Sequence, residues 1–173
     1  ANNTFRYDFI FENLMVQTNI VNAAIKAGIT KLCFLGSSCI YPRECPQPMC
    51  EDQLLSGPLE TTNEPYAIAK IAGIKLCESA NRQFGSQFFS VIPCNLYGPN
   101  DNYDLTTSHV IPALIRKAHL AKEENVNELV VWGTGRPLRE FLYVDDAADA
   151  IVFLLEKSIS NGIFNIGYGS DVS

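Results

Sequence analysis

Tyr66 and Lys70 stand four residues apart in the stretch Asn63-Glu64-Pro65-Tyr66-Ala67-Ile68-Ala69-Lys70. On an α-helix that spacing puts both side chains on one face. An ammonium beside a phenol favours the phenolate and lowers the tyrosine pKa. The phenol then becomes a proton donor and acceptor usable near neutral pH. Pro65 suits a first helical position, where its missing N–H would be unpaired anyway. Glu64 sets negative charge at the helix's positive end. The spacing is a weak signal by itself, since chance supplies about 0.3 such pairs in a chain of this composition. An exposed helical pair would show the same spacing, so chemistry here requires a third group and a pocket.

The elements that must position such a pair alternate between helix and strand. Asp8 to about Ala27 reads as a helix with a broad apolar face, stopped by Gly28. Lys31 to Gly36 reads as a buried strand that leads into Ser37-Ser38-Cys39-Ile40-Tyr41-Pro42. Residues 42–63 are rich in Pro, Gly and polar side chains and form a long loop, a length often associated with function. The Tyr66 helix runs to about Phe84 and stops at Gly85. Phe88 to Ile92 is the next strand, Pro93 to Pro99 a turn and Asp101 to Thr107 a polar loop. Ser108 can cap a helix from about His109 to Lys122. Glu128 to Trp132 reads as a strand, Gly133-Thr134-Gly135 as a turn and Arg139 to Tyr143 as short and extended. Asp145 to Lys157 is a helix whose two leading aspartates suit capping better than chemistry, and Gly162 to Ile166 is a final strand. Strands alternating with helices predict an α/β chain with a doubly wound parallel sheet. Ligands bind such sheets beyond the carboxyl ends of the strands, where Ser37 to Cys39, Pro93 to Leu96 and the Tyr66 helix fall.

At 173 residues the chain can bury a substantial core as one domain. Its net charge of −6 argues against a nucleic-acid surface but leaves room for an anionic small ligand held by a few local cations. No apolar run reaches the roughly 18 residues of a membrane span, and the first residues carry no apolar leader region, so neither a membrane span nor a signal peptide is expected. Six cysteines include no Cys-x-x-Cys, and only two histidines accompany them, so no metal site is expected. Thiols in apolar strand and helix patterns default to reduced and buried, which fits a reducing cytoplasm. No Gly-x-Gly-x-x-Gly turn follows a strand.

The motifs Leu35-Gly36-Ser37-Ser38-Cys39-Ile40-Tyr41-Pro42, Asn63 to Lys70, Asn95-Leu96-Tyr97-Gly98-Pro99, Ser108-His109-Val110-Ile111-Pro112-Ala113-Leu114, Val131-Trp132-Gly133 and Arg139 to Asp146 occur in that order. As a set they resemble the GDP-L-fucose synthase family of the extended short-chain dehydrogenase/reductase superfamily. Tyr-x-x-x-Lys identifies only the superfamily, whereas Ser-Ser-Cys together with Ser-His-Val-Ile-Pro is far more specific. The resemblance covers essentially the whole chain and matches the family's middle portion. It implies a Rossmann-like NAD(P)-binding fold, incomplete at both ends, with parts of the substrate-binding region at about 100–140 and 160–173.

That resemblance also implies roles. Ser37, Tyr66 and Lys70 would form the reductase triad, with Ser37 and Tyr66 on a sugar 4-keto oxygen and Lys70 on the nicotinamide ribose. Epimerisation beside a ketone needs a base on one face and an acid on the other, and the family's pair maps to Cys39 and His109. If the chain stays extended past the strand end, Ser37 and Cys39 point the same way. Cys39 alone would read as a small buried hydrophobe and His109 alone as a capped or surface histidine; the matching motifs reverse both readings. Cys33 and Cys94 keep the buried-hydrophobe reading. The NADP(H) site would comprise Leu35, Gly36, Ser37, Ser38, Tyr66, Lys70, Pro93, Cys94, Asn95, Leu96 and His109. Lys117, Trp132 and Arg139 would hold a GDP-sugar, two cations facing a pyrophosphate beside a large aromatic. Without a glycine-rich turn, the chain alone is expected to bind NADPH weakly. The helices at about 8–27 and 64–84 carry more apolar surface than one sheet contact needs, so a homodimer is expected.

Overall fold

The computed structural model describes residues 4–157 and 159–173; Ala1 to Asn3, part of the start that lacks an apolar leader, lie outside the described residues. The chain divides into two compact units, one of residues 1–94 and 148–166 and the other of residues 95–147 and 167–173.

In the first unit, helix α1 (Arg6–Lys26) precedes strand β1 (Lys31–Leu35), helix α2 (Glu64–Phe84) and strand β2 (Gln87–Pro93). The bounds of α2 follow from local punctuation. Glu64 and Pro65 open it, and Gly85 closes it in the left-handed conformation at φ 69°, a geometry that costs glycine nothing. Strand β5 (Ile163–Ile166) completes a three-stranded sheet in the order β1-β2-β5. Both pairings are parallel, with Leu35 opposite Val91 and Pro93 opposite Ile166, so the carboxyl ends of the strands lie together. Parallel strands need a crossover, which α2 supplies between β1 and β2. Lys31, at the start of β1, donates to the carbonyls of Leu155 and Lys157 at the end of helix α4 (Val144–Glu156), groups that have no partner within a helix.

The core of this unit joins α1, β1, α2 and β2 through Val21, Phe34, Ile74, Cys77, Phe88 and Ile92. Gln17 of α1 is buried with them and donates to the Ala69 carbonyl of α2 at 2.5 Å. Gly73 makes this packing possible, because a Cβ there would stand 2.3 Å from the Phe34 ring and 2.9 Å from Gln17 Oε1. Gly73→Ala is therefore expected to destabilise the chain by about 1–3 kcal/mol through overpacking. Urea unfolding would check this, and an unchanged midpoint would show that the ring moves aside freely.

In the second unit, strand β3 (Asn95–Tyr97) pairs in parallel with β4 (Phe141–Tyr143), and helix α3 (Val110–Glu123) lies between them in sequence. Three local expectations are corrected here. Residues 95–97 are strand rather than turn, because β4 supplies a backbone partner from a distant part of the chain. Glu128 to Trp132 forms no strand, since β-branched residues without a paired neighbour gain nothing from extension. Ser108 does not cap α3: His109 holds the N-cap position, and the buried Ser108 hydroxyl has no hydrogen-bond partner among the described residues. Asp145 and Asp146 sit in the first turn of α4, where negative charge is favourable. Among the described residues no helix is long and apolar enough to cross a membrane.

Candidate active site

Four of the expected catalytic residues gather at the carboxyl end of β1. The strand ends at Leu35, and the chain enters a 3-10 turn at Ser38–Ile40 with Ser37 as its extended N-cap at φ −158°. The stretch expected to stay extended is therefore bent after Ser37. The bend leaves Ser37 beside both Cys39 and Tyr66, where its hydroxyl favours the ionised form of each. Gly36 is needed just before the bend. Its N–H donates to the Val91 carbonyl at 2.8 Å, and a Cβ would fall 2.3 Å from Ile92 Cδ1.

Tyr66 and Lys70 project from the start of α2 as the spacing predicts. The Lys70 ammonium lies 5.6 Å from the Tyr66 ring centroid and 5.3 Å from that of Phe34. It donates to the Leu35 carbonyl at 2.9 Å, tying α2 to the end of β1. Phe9 of α1 meets the Tyr66 ring edge-on at 6.3 Å.

Burial dominates the electrostatics. It pushes the Tyr66 phenol above its ordinary value, with the nearby Cys39 adding to the rise and Ser37 opposing it. This corrects the expectation that Lys70 holds the phenol down: the ammonium is committed to a strand-end carbonyl, and burial lowers its own pKa. Burial also raises the Cys39 thiol, against the pull of Ser37 and Lys70. The cluster thus rests as phenol and thiol, groups able to give a proton. Cys33 and Cys77 lie away from it, and burial pushes them up to about 11 and about 12.

The expected cofactor positions divide between the units. Leu35, Gly36, Ser37 and Ser38 share the carboxyl end of the first sheet with Pro93 and Cys94, whose N–H donates to the Ile166 carbonyl at 2.9 Å. Leu35 is 50% exposed, an apolar surface beside the Lys70 donor. An amine, a hydroxyl and an exposed aliphatic side chain fit a ribose and a flat carboxamide ring. Asn95 and Leu96 belong to the second unit, where Asn95 Nδ2 donates to the Glu140 carbonyl at 2.9 Å.

The remaining expected residues also lie in the second unit. His109 is exposed at the N-terminus of α3. Lys117 and Trp132 meet, with the ammonium 4.9 Å from the indole and donating to the Val130 carbonyl at 3.0 Å. Trp132 is 82% exposed, which excludes a core role. A depression of about 220 Å³ beside Lys117 is walled by Leu120, Ala121, Val126, Leu129 and Val130 together with the acidic Glu124 and Glu128. Arg139 donates to the Leu138 carbonyl at 2.7 Å, and its backbone forms an antiparallel bridge with Val172.

One structural link escapes sequence reasoning. Tyr41 Oη donates to Asn165 Oδ1 at 2.6 Å, fixing the chain just after Cys39 to β5. The partners are 124 residues apart, and no local pattern marks either one.

The profile of the NAD dependent epimerase/dehydratase family matches residues 1–167. The chain is 58% identical over 174 residues to the probable GDP-L-fucose synthase 1 of Oryza sativa subsp. japonica, covering 100% of this chain and 53% of that protein. It is 59% identical over 156 residues to the GDP-L-fucose synthase of Escherichia coli strain K12, covering 90% of this chain and 49% of that protein. The chain spans about half the length of the curated relatives it matches. Among solved structures, the GDP-L-fucose synthetase from Naegleria fowleri bound to NADP superposes with a TM-score of 0.87 at 31% identity, covering 98% of this chain and 56% of that one.

Proposed function

The chain belongs to the NAD dependent epimerase/dehydratase family, and from that premise we propose that it carries the catalytic centre of an NADPH-dependent 3,5-epimerase and 4-reductase converting GDP-4-keto-6-deoxy-D-mannose to GDP-L-fucose. The observation that carries this reading is the gathering of Ser37, Cys39, Tyr66 and Lys70 at the end of β1. The names of the relatives at 58% and 59% identity support it.

The 4-keto group acidifies the protons at C3 and C5. Cys39, as thiolate, removes such a proton, and His109 returns one to the other face; the role of His109 rests on the family resemblance. NADPH, when bound, supplies the hydride that reaches C4. Tyr66 gives its proton to the C4 oxygen, and its raised pKa keeps it in the donor form. Ser37 donates a hydrogen bond to the same oxygen. Lys70 holds the nicotinamide ribose with the ammonium that otherwise meets the Leu35 carbonyl. Lys117 and Arg139 bind the pyrophosphate of GDP, and Trp132 offers its exposed face to the base. The second unit would thus belong to the substrate-binding region. Activity is best read in a chimera in which this chain replaces the matching segment of the rice relative. Loss of NADPH absorbance with formation of GDP-L-fucose is expected on adding the keto-sugar; NADPH turnover only with a different nucleotide sugar would overturn the substrate assignment.

The assembly proposed with this reading is a homodimer through α1 and α2. Tyr7 stacks on Phe11 at 5.5 Å between ring centroids, and both are exposed together with Met15 and Ile68. Burying apolar surface gains about 25 cal/mol per Å², so sedimentation at micromolar concentration is expected to show a dimer, which Phe11→Glu should convert to monomer. A wild-type monomer at that concentration would refute the interface. A reducing cytoplasmic setting is proposed as well, supported by six cysteines that form no disulfide.

A further inference from the structure

Two thiols outside the proposed centre share one residue. The strap from Pro42 to Asn63 begins three residues after Cys39, and Arg43 N–H closes it on the Pro58 carbonyl at 2.9 Å. Within it Cys45 Sγ donates to Gln53 Oε1 at 2.8 Å, and the Cys50 N–H donates to the same oxygen at 3.0 Å. The Cys50 carbonyl in turn accepts the backbone N–H of Gln53 at 3.1 Å, and the Cys50 thiol donates to the Pro48 carbonyl at 3.6 Å. Gln53 therefore ties the two cysteines to one point, Cys45 through its thiol and Cys50 through its backbone.

The strap is held in place rather than hanging free. Asn165 of β5 donates to the Met49 carbonyl at 3.0 Å, and its N–H meets Glu51 Oε1 at 2.6 Å, so the residues on either side of Cys50 are pinned to the sheet. Cys45 and Cys50 are five positions apart, and Pro46 and Pro48 between them restrict the backbone. Closing so short and stiff a segment costs little entropy. Cys50 is exposed and Cys45 partly buried. The exposed Cys50 is therefore the first to meet an outside reagent.

We propose that Cys45 and Cys50 form a reversible dithiol–disulfide couple, a modification site on the strap that takes small-molecule disulfides such as glutathione disulfide. The Cys50 thiolate attacks one sulfur of glutathione disulfide. One glutathione leaves as thiolate and takes up the proton that Cys50 lost, and a mixed disulfide remains on Cys50. The Cys45 thiolate then attacks the Cys50 sulfur and expels the second glutathione, which takes up the Cys45 proton. Two protein thiols are oxidised and one glutathione disulfide is reduced to two glutathiones. The product pulls Cys45 off Gln53.

Equilibrating the 173-residue chain in glutathione redox buffers, quenching with acid, alkylating and digesting with trypsin tests this directly. Arg43 and Lys70 bound a peptide, Glu44 to Lys70, that contains Cys45 and Cys50 and no other cysteine. The oxidised peptide is expected to be lighter by two hydrogens and to take no alkyl group. Its equilibrium constant should exceed that of the same chain in concentrated urea by about tenfold or more, because the fold ties both cysteines to one residue. Cys45→Ser and Cys50→Ser should each leave a single glutathione on that peptide in place of the disulfide. A folded-to-unfolded ratio of one or less, or either cysteine cross-linked to the peptide that carries Cys39, would overturn the proposal.

Discussion

Tyr66→Phe, measured in the rice chimera, is expected to lower hydride transfer by about a thousandfold while solvent deuterium still enters C3 and C5. The substitution removes one oxygen and leaves the ring against Phe9, so the fold should tolerate it. Hydride arriving at C4 leaves an alkoxide that must be protonated, and a positioned general acid is worth about 10²–10⁴-fold. Ser37 can hydrogen-bond the oxygen, but an ordinary hydroxyl does not give up its proton near neutrality. Carbon acidity depends on the ketone and on the base, and Cys39 remains in place. Hydride transfer within about tenfold of the parent would remove Tyr66 from the role of proton donor, provided the melting temperature is unchanged.

Cys39→Ser should produce the opposite split. Deuterium exchange at C3 and C5 is expected to fall by about a thousandfold, because a serine hydroxyl supplies essentially no alkoxide near neutrality, whereas a thiol supplies some thiolate. Reduction of an already epimerised intermediate should change only slightly, since Tyr66, Ser37 and Lys70 are untouched. Undiminished exchange would end the assignment of Cys39 to epimerisation. The parent's pH dependence gives a second check. On the proposed assignment the thiolate is the base, and burial sets the Cys39 thiol above its ordinary value. Exchange should therefore climb as pH rises from about 6 to 9, a range in which the base form is still accumulating. The phenol must stay protonated to act as donor, and its pKa is also raised. Reduction should stay level over the same range. Exchange that is independent of pH there would mean that a group other than this thiol limits the step.

The contrast between α2 and residues 128–132 shows what a sequence carries locally. Glu64 and Pro65 at one end and Gly85 at the other delimit α2 as expected, since helix bonds and caps form within a few residues of one another. The run Glu128 to Trp132 has strand-forming residues, yet Val130 and Val131 are exposed and unladdered. A strand exists only where another strand offers its backbone, and that partner lies elsewhere in the chain. Residues 95–97 show the converse, drawn out of an expected turn by pairing with β4.

The candidate centre divides along the same line. The sequence by itself determined which chemical groups are present, that Tyr66 and Lys70 share a helix face, and, through its motifs, the family to which the chain belongs. Only the tertiary structure decided that the chain bends after Ser37, that Ser37 stands beside both Cys39 and Tyr66, and that Lys70 reaches the Leu35 carbonyl. It also reversed the expected direction of the Tyr66 shift. A pKa inferred from spacing counts only the nearest charge, whereas desolvation sums over every segment packed around the phenol. Those segments include α1, through Phe9, and the 3-10 turn with its N-cap, through Cys39 and Ser37, and their convergence on one point belongs to the fold rather than to any single stretch of the chain.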